Sequence, residues 1–447
     1  MDLAPGLPLR RNVANSAAGK IARLTASLGI DFGTTNSAVA LADEAAPPRL
    51  AHFGAGGPVS DTFRSILYFD PRAVRGVESV FAGPKAVQRY RQALHKGRFL
   101  QSLKAYLGDA GFTGTTIGGR HRTLPQLIAL IIQRLLAAAE NDLGPLPRRV
   151  VVGRPVHFTV ARSEEHDALA LGRLREALEL AGVRDPEFEY EPVAAAYAYR
   201  QQLTKQATVL IGDFGGGTSD FSILALEPPS AAGRGVTILG NDGIAIAGDA
   251  FDRAIVRHAV APQLGKGSEY VSPPDKVLPM PDWVYSRLER WHHLSFLKTG
   301  DTLEMLRRIR RTSTAPQAVA ALLHLVEDDL GYELHERVNA TKITLSSALE
   351  AELRFDLESL EVRWRATRQQ FEHWLRHDLH ALERCIEQLL GRSGVPPAAI
   401  DTVFLTGGSS FVPAVRAIFK RLFPSATMAG GHELTSVATG LALRAQL

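Results

Sequence analysis

The chain has 447 residues, 45% apolar and 22% charged, with a net charge of +4: globular material for roughly three compact units, not a disordered polyelectrolyte. So small a charge does not by itself imply nucleic acid, and no nucleic-acid partner is expected; the single cysteine, Cys385, excludes an internal disulfide and fits a reducing, cytoplasmic setting. No membrane span is expected, because the most apolar stretch, LIALIIQRLLAAA from Leu127, is broken by Gln133 and Arg134.

Residues 1–27 carry Arg10, Arg11, Lys20 and Arg23 against Asp2 alone and read as a flexible arm. At Leu28 an apolar run begins that ends in Asp31 and a glycine turn, LGIDFGTTNSAVA, the pattern of strand, tight turn, strand. A strand is expected over 65–69. A helix over 124–139 places Leu124, Leu127, Ile128, Ile131 and Leu135 on one face. The short run RVVVGRPV from Arg149 reads as a strand, 163–181 as a charged helix, and FEYEPVAAAYAYR sets Glu191 just ahead of Pro192. At Thr208 the pattern restarts: TVLIGDFGGGTSDFSIL repeats the strand, turn, strand unit around Asp213. This implies an internal duplication and an α/β fold with helices on the sheet faces. Between 262 and 335 the composition shifts, with Pro273, Pro274, Pro279, Pro281, Trp283, Trp291 and the run RRIRR from Arg307, the mark of an inserted subdomain. A long helix is expected over 363–390, then the strand TVFLTGG and a helix from Pro413.

The paired turns carry the chemistry. Gly33, Gly215, Gly216 and Gly217 permit positive φ and let backbone N–H groups crowd an anion, as no side chain bearing a Cβ could. Thr34, Thr35 and Thr218 add hydroxyl donors, and Asp31, Asp213 and Asp220 add hard oxygens suited to a magnesium ion that keeps most of its waters. One such turn is ordinary loop; two matched copies read as the halves of a phosphate clamp. Gly407 and Gly408, between the apolar run Val403, Phe404, Leu405 and the helix at Pro413, offer close backbone approach to a sugar and base. His373, His377 and His380 read as a solvated helix face in preference to a metal site. Arg307, Arg308, Arg310 and Arg311 read as a charged helix end, with docking of an acidic partner or nucleic acid as the alternative. GAGG at Gly54 is loop. The signatures GxxxxGK[ST], HExxH, paired CxxC and GxSxG are missing from the sequence.

In order, GIDFGTTNS, EPVAAAYAY, GDFGGGTSDFSIL, AGDAFD, KITLSS, TRQQFE and FLTGGSSFVPAV make the chain from Leu28 onward resemble the seventy-kilodalton heat-shock (DnaK-type) chaperone family of the actin-like ATPase superfamily. The resemblance implies a duplicated, ribonuclease H-like α/β fold with two lobes around an ATP/ADP and Mg2+ cleft. It implies lobe I over 28–206, rejoined by 428–447, and an enlarged helical lobe II over 207–427 that includes the subdomain at 262–335. It places phosphate contacts on Gly33, Thr34, Thr35, Asn36, Gly215, Gly216 and Gly217. Asp31 and Asp213 would organise magnesium, and Lys104 would neutralise phosphate charge. Glu191, Thr218 and Asp220 would position the attacking water. Gly248, Lys342, Ser346, Gly407, Gly408 and Ser409 would hold ribose and base.

The chain also departs from that pattern. The two arginines that sandwich the base in the chaperones correspond to Ile343 and Phe411, a glutamate near KITLSS is Asn339, and the second acidic position of AGDAFD is Ala250. No peptide-binding domain is expected after TSVATGLALRAQL, the arrangement resembling the short bacterial YegD-like members, and a chaperone role through the usual groove is accordingly not expected. The reading is a slow ATPase, a nucleotide-driven conformational switch with a protein partner on the expanded second lobe. The alternatives are a filament-forming actin-like protein, a sugar or acetate kinase of the superfamily, and a nucleotide-binding scaffold without hydrolysis.

Overall fold

The computed structural model describes residues 26–55, 59–71, 79–93, 97–159, 163–229, 235–290, 293–294, 297–357, 360–430 and 435–447. Residues 1–25 of the expected arm, Trp291, and Gly56 and Gly57 of the GAGG loop lie outside them.

Two sheets of one topology form the frame. In the first, β1 (Ser27–Phe32) folds back antiparallel on β2 (Asn36–Asp43), which pairs with β3 (Ala46–Leu50). On the other side of β1 lies β4 (Val150–Arg154), parallel to it, followed by the parallel β5 (Glu187–Tyr190). The second sheet repeats this: β6 (Ala207–Phe214) and β7 (Ser219–Leu226) form the hairpin, and β8 (Val236–Ile244) pairs antiparallel with β7. The parallel strands β9 (Thr402–Thr406) and β10 (Thr427–Ala429) then continue from β6. The orders 5-4-1-2-3 and 10-9-6-7-8 therefore superpose strand for strand, which is the internal duplication expected from the repeated glycine turns. β1, β6 and β7 are buried on both faces, as strands are when helices cover both sides of a sheet.

Each sheet feeds one helix into the space between them. α1 (Glu191–Arg200) follows β5, and α2 (Ser436–Arg444) closes the chain. The two helices touch so closely that a Cβ on Gly440 would sit 1.7 Å from the Ala194 carbonyl oxygen. α2 also lies against β1: a Cβ on Gly29 would meet the Ala438 oxygen at 2.2 Å, and the Ser27 hydroxyl donates to the Ala442 carbonyl at 2.8 Å. Val193, Ala194, Val437 and Leu441 share one core with Val209, Ile211 and Leu224 of the second sheet. The alanine-rich sequence of α1 makes this possible, since small side chains let the two backbones approach.

Helices at Leu124–Leu143 and Glu164–Leu180 and strands at Ile66–Phe69 and Val150–Arg154 fall where the sequence places them. One expectation fails. In place of a helix over 363–390, Leu360–Thr367 is a strand, paired antiparallel with Glu350–Leu357, and helices occupy Arg368–Trp374 and Arg376–Ser393. The true helix start is a capping box: the Thr367 hydroxyl accepts from the Gln370 N–H while the Gln370 side chain accepts from the Thr367 N–H. Ahead of it, Val362 and Ala366 are buried at alternate positions, a strand pattern too short to override the helical periodicity that follows. Among the described residues no helix is long and apolar enough to cross a membrane.

Candidate functional site

Both glycine turns leave their sheets at the same edge and meet face to face. A Cβ on Gly216 would lie 2.6 Å from the Thr35 hydroxyl oxygen, and one on Gly217 would lie 2.8 Å from that of Thr159 and 3.4 Å from that of Thr34. The glycine requirement is therefore steric and not torsional. None of Gly33, Gly215, Gly216 and Gly217 uses the positive φ that glycine permits; at Gly33 a Cβ would lie 2.0 Å from the Asn36 carbonyl oxygen. Gly407 does need its freedom, with φ of 81° and the Phe214 carbonyl oxygen 2.1 Å from where a Cβ would stand.

One continuous cleft runs between the turns. From the first half it takes Asp31, Gly33, Thr34, Thr35 and Asn36, and from the second Asp213, Gly215, Gly216, Gly217 and Thr218. Farther along, Gly248, Lys342 and Ile343 face Gly407, Gly408, Ser409 and Phe411. Lys104 and Glu191 reach the same cleft from the short 3-10 turn Leu103–Tyr106 and the first residue of α1. Two expected residues do not line it. Ser346 instead donates its hydroxyl to the Lys342 carbonyl at 3.1 Å, and Asp220 stands behind the second turn, accepting from the Val156 N–H at 2.7 Å.

The inner end of the cleft is crowded with charge. The Lys104 ammonium donates to Glu191 Oε1 at 2.6 Å with both side chains more than nine-tenths buried. Burial by itself disfavours the charge on Lys104, but Glu191, Asp31 and Asp220 outweigh it and hold the ammonium more firmly protonated than usual. Asp31 is pushed up to about 7, first by desolvation and then by Glu191, against the pull of Lys104. Asp220 is raised to about 7 by the same two causes, with Thr218, the Val156 N–H and Lys104 pulling back. Asp213 is raised as well, by burial and by Glu191, Asp31 and Asp220. Four carboxylates facing one ammonium leave an excess of negative charge, and Asp220 Oδ2 is buried without a partner. Both features fit a hydrated divalent cation with its waters. Among the described residues no group of three or more His, Cys, Asp or Glu is placed to cage a metal ion directly.

At the outer end, Lys342 pairs with Asp252 at 2.9 Å, and Asp249, beside them, is raised to about 7 by burial and by Asp252. Ile343 and Phe411 are the exposed apolar groups here, at 61% and 44%, and the Arg416 guanidinium sits 5.7 Å from the Phe411 ring centre. Away from the residues that line the cleft, the two halves of the chain are also joined directly: Tyr106 and His293 share a hydrogen bond of 2.7 Å, and the Tyr90 hydroxyl donates to Glu333 at 3.3 Å. Sequence reasoning missed Thr159, Arg64 and His335, the last two lining the cleft. Arg64 donates to Asn36 at 3.3 Å. No local pattern marks these residues, because long-range folding alone brings them to the turns. His373, His377 and His380, singled out earlier, are all exposed.

Two duplicated sheets, phosphate-type turns facing across a cleft and crossed helices beneath define the actin-like ATPase fold. Residues 103–269 and 325–447 match the model of the Hsp70 protein family. The chaperone protein DnaK of Thermosipho africanus (strain TCF52B) is 25% identical to this chain over 427 residues, which is 94% of this chain and 58% of that protein. The chain belongs to the Hsp70 family, and it spans little more than half the length of this relative.

Proposed function

We propose that the protein is a magnesium-dependent, ATP-hydrolysing conformational switch with a chaperone-type role. The observation that carries this reading is the meeting of the two turns, with Gly216 and Gly217 against Thr35 and Thr34, beside the buried Lys104–Glu191 pair. Backbone N–H groups and threonine hydroxyls of both turns hold the phosphates. Asp31 and Asp213 hold the hydrated magnesium ion, which when bound offsets phosphate charge. Lys104, paired with Glu191 in the free protein, turns to the terminal phosphate, and Glu191 is released to orient water together with Thr218, which Asp220 supports from behind the turn. Lys342 and Ser409 hold the sugar, and Ile343 and Phe411 enclose the base by dispersion and stacking. Because the turns belong to different halves, a bound triphosphate favours the closed cleft, and loss of the terminal phosphate relaxes it.

Calorimetry with MgATP, alongside assay of free phosphate, tests the reading. Glu191→Gln keeps binding and loses hydrolysis, whereas Asp213→Ala loses magnesium-dependent affinity. Phosphate appearing on an added hydroxyl acceptor instead of in solution would make the protein a kinase. Binding without turnover would make it a scaffold, and nucleotide-dependent pelleting would make it a filament protein.

A further inference from the structure

Residues 270–324 lie between the two blocks that match the family model, and most of a helical hairpin, Gly300–Thr312 and Pro316–Glu327, falls within them. Arg307, Arg310 and Arg311 sit three and four residues apart on the first helix, hence on one face. They line a hollow with Leu323, His324 and Glu327 of the second. Arg307 is paired with Glu327, and His324 with Asp328 at 3.0 Å. Arg310 and Arg311 have no ion-pair partner among the described residues. A helix C-terminus tolerates cations in its last turn, but that does not account for three guanidiniums and an imidazole converging on one concavity that holds a single carboxylate.

Beside the hollow runs a small sheet, Glu269–Ser272 with Lys276–Pro279. It is fixed to the hairpin by the Thr312 hydroxyl, which donates to the Val271 carbonyl at 2.7 Å, and by the Thr314 N–H, which donates to the Glu269 carbonyl at 2.8 Å. Val271 and Val277 stand directly opposite each other in its register, 39% and 57% exposed. Cross-strand neighbours on one face form a continuous apolar patch.

We propose that the arginine hollow and this valine pair are a docking surface for an acidic segment of a partner protein, carboxylates on Arg310 and Arg311 and an apolar side chain on Val271 and Val277. Spaced carboxylates suit the site better than a continuous phosphate backbone does. The exposed valine pair beside the hollow can seat the apolar side chains of a peptide and offers a phosphate backbone nothing. This surface is separate from the nucleotide cleft and stands whether or not the protein hydrolyses ATP.

Fluorescence anisotropy with the full chain and a short labelled peptide of repeating Glu-Glu-Leu provides the test, with a labelled single-stranded oligonucleotide run in parallel. Saturable peptide binding is expected, weakened on the order of tenfold or more by Arg310→Glu/Arg311→Glu and by Val277→Asp. It should also weaken as salt rises from about 50 to 300 mM. Arg308→Glu, on the same helix but paired with Glu304 and outside the hollow, leaves binding within roughly twofold. Melting curves should be unchanged, since all four residues are exposed. Absence of saturable peptide binding, an equal loss in Arg308→Glu, indifference to Val277→Asp, or oligonucleotide binding tighter than peptide binding overturns the proposal.

Discussion

Replacing Lys104 with methionine removes the cation that opposes the raised Asp31, Asp213 and Asp220 and pairs with Glu191. Both partners of the 2.6 Å bridge are buried, at 8% and 9% side-chain exposure, so the loss leaves Glu191 without compensation at a cost of about 3–5 kcal/mol. Glu191→Gln should cost far less, about 1 kcal/mol, because an amide oxygen still accepts from Lys104 and one of four crowded negative charges disappears. The double variant Lys104→Met/Glu191→Gln removes both charges and should recover most of the loss. That pattern is a strongly non-additive cycle. Urea unfolding at pH 7 without nucleotide measures all four proteins. The Lys104→Met deficit should shrink at pH 5, where Asp31 and Asp220, at about 7 in the folded chain, are neutralised by protons and no longer crowd the site with charge. A Lys104→Met cost below about 1 kcal/mol, or one equal to that of Glu191→Gln, would show that the pair is hydrated and that the charge reasoning is wrong.

Four other outcomes follow from the geometry. Asp31 and Asp220 sit at about 7 against an ordinary 3.8, so the folded chain holds protons over that interval. The stability they confer is complete below 3.8 and disappears as pH rises through about 7. MgADP binding at pH 6.5–7 should accordingly release protons, visible as a calorimetric heat that depends on the buffer's ionisation enthalpy. His335 behaves oppositely. Burial lowers it from 6.5 to about 4, so its contribution is full above 6.5 and falls away toward 4, about 2 kcal/mol at pH 5; His335→Asn should flatten the acid limb of a urea-midpoint profile by that amount. Gly216→Val presses a side chain onto Thr35 across the cleft, and nucleotide affinity should fall at least tenfold with little change in melting temperature. Phe411→Ala, and to a smaller degree Arg416→Met behind it, should weaken MgATP but leave magnesium tripolyphosphate binding unchanged; equal losses for both ligands would remove Phe411 from the base site.

Local pattern determined much of this protein. Apolar runs ending at Asp31 and Asp213, each followed by glycine, set two hairpins of one kind, and their repetition requires a duplicated sheet. The alanines of Ala194–Ala196 and Gly440 specify helices that can cross at backbone contact. Short-range signals were ambiguous where two periods compete. Leu360–Thr367 alternates like a strand yet abuts the strong helical pattern after the Thr367 cap, and pairing with Glu350–Leu357 decides it. Only tertiary structure showed why the clamp needs glycine, because the obstacle to a side chain at Gly216 is the Thr35 hydroxyl from the other half of the chain. Likewise, Lys104 is an unremarkable lysine until folding buries it beside Glu191, 87 residues away. Hydrophobic periodicity is a property of neighbours along the chain, whereas steric closeness and charge coupling act across space between residues whose separation in sequence carries no record of the contact.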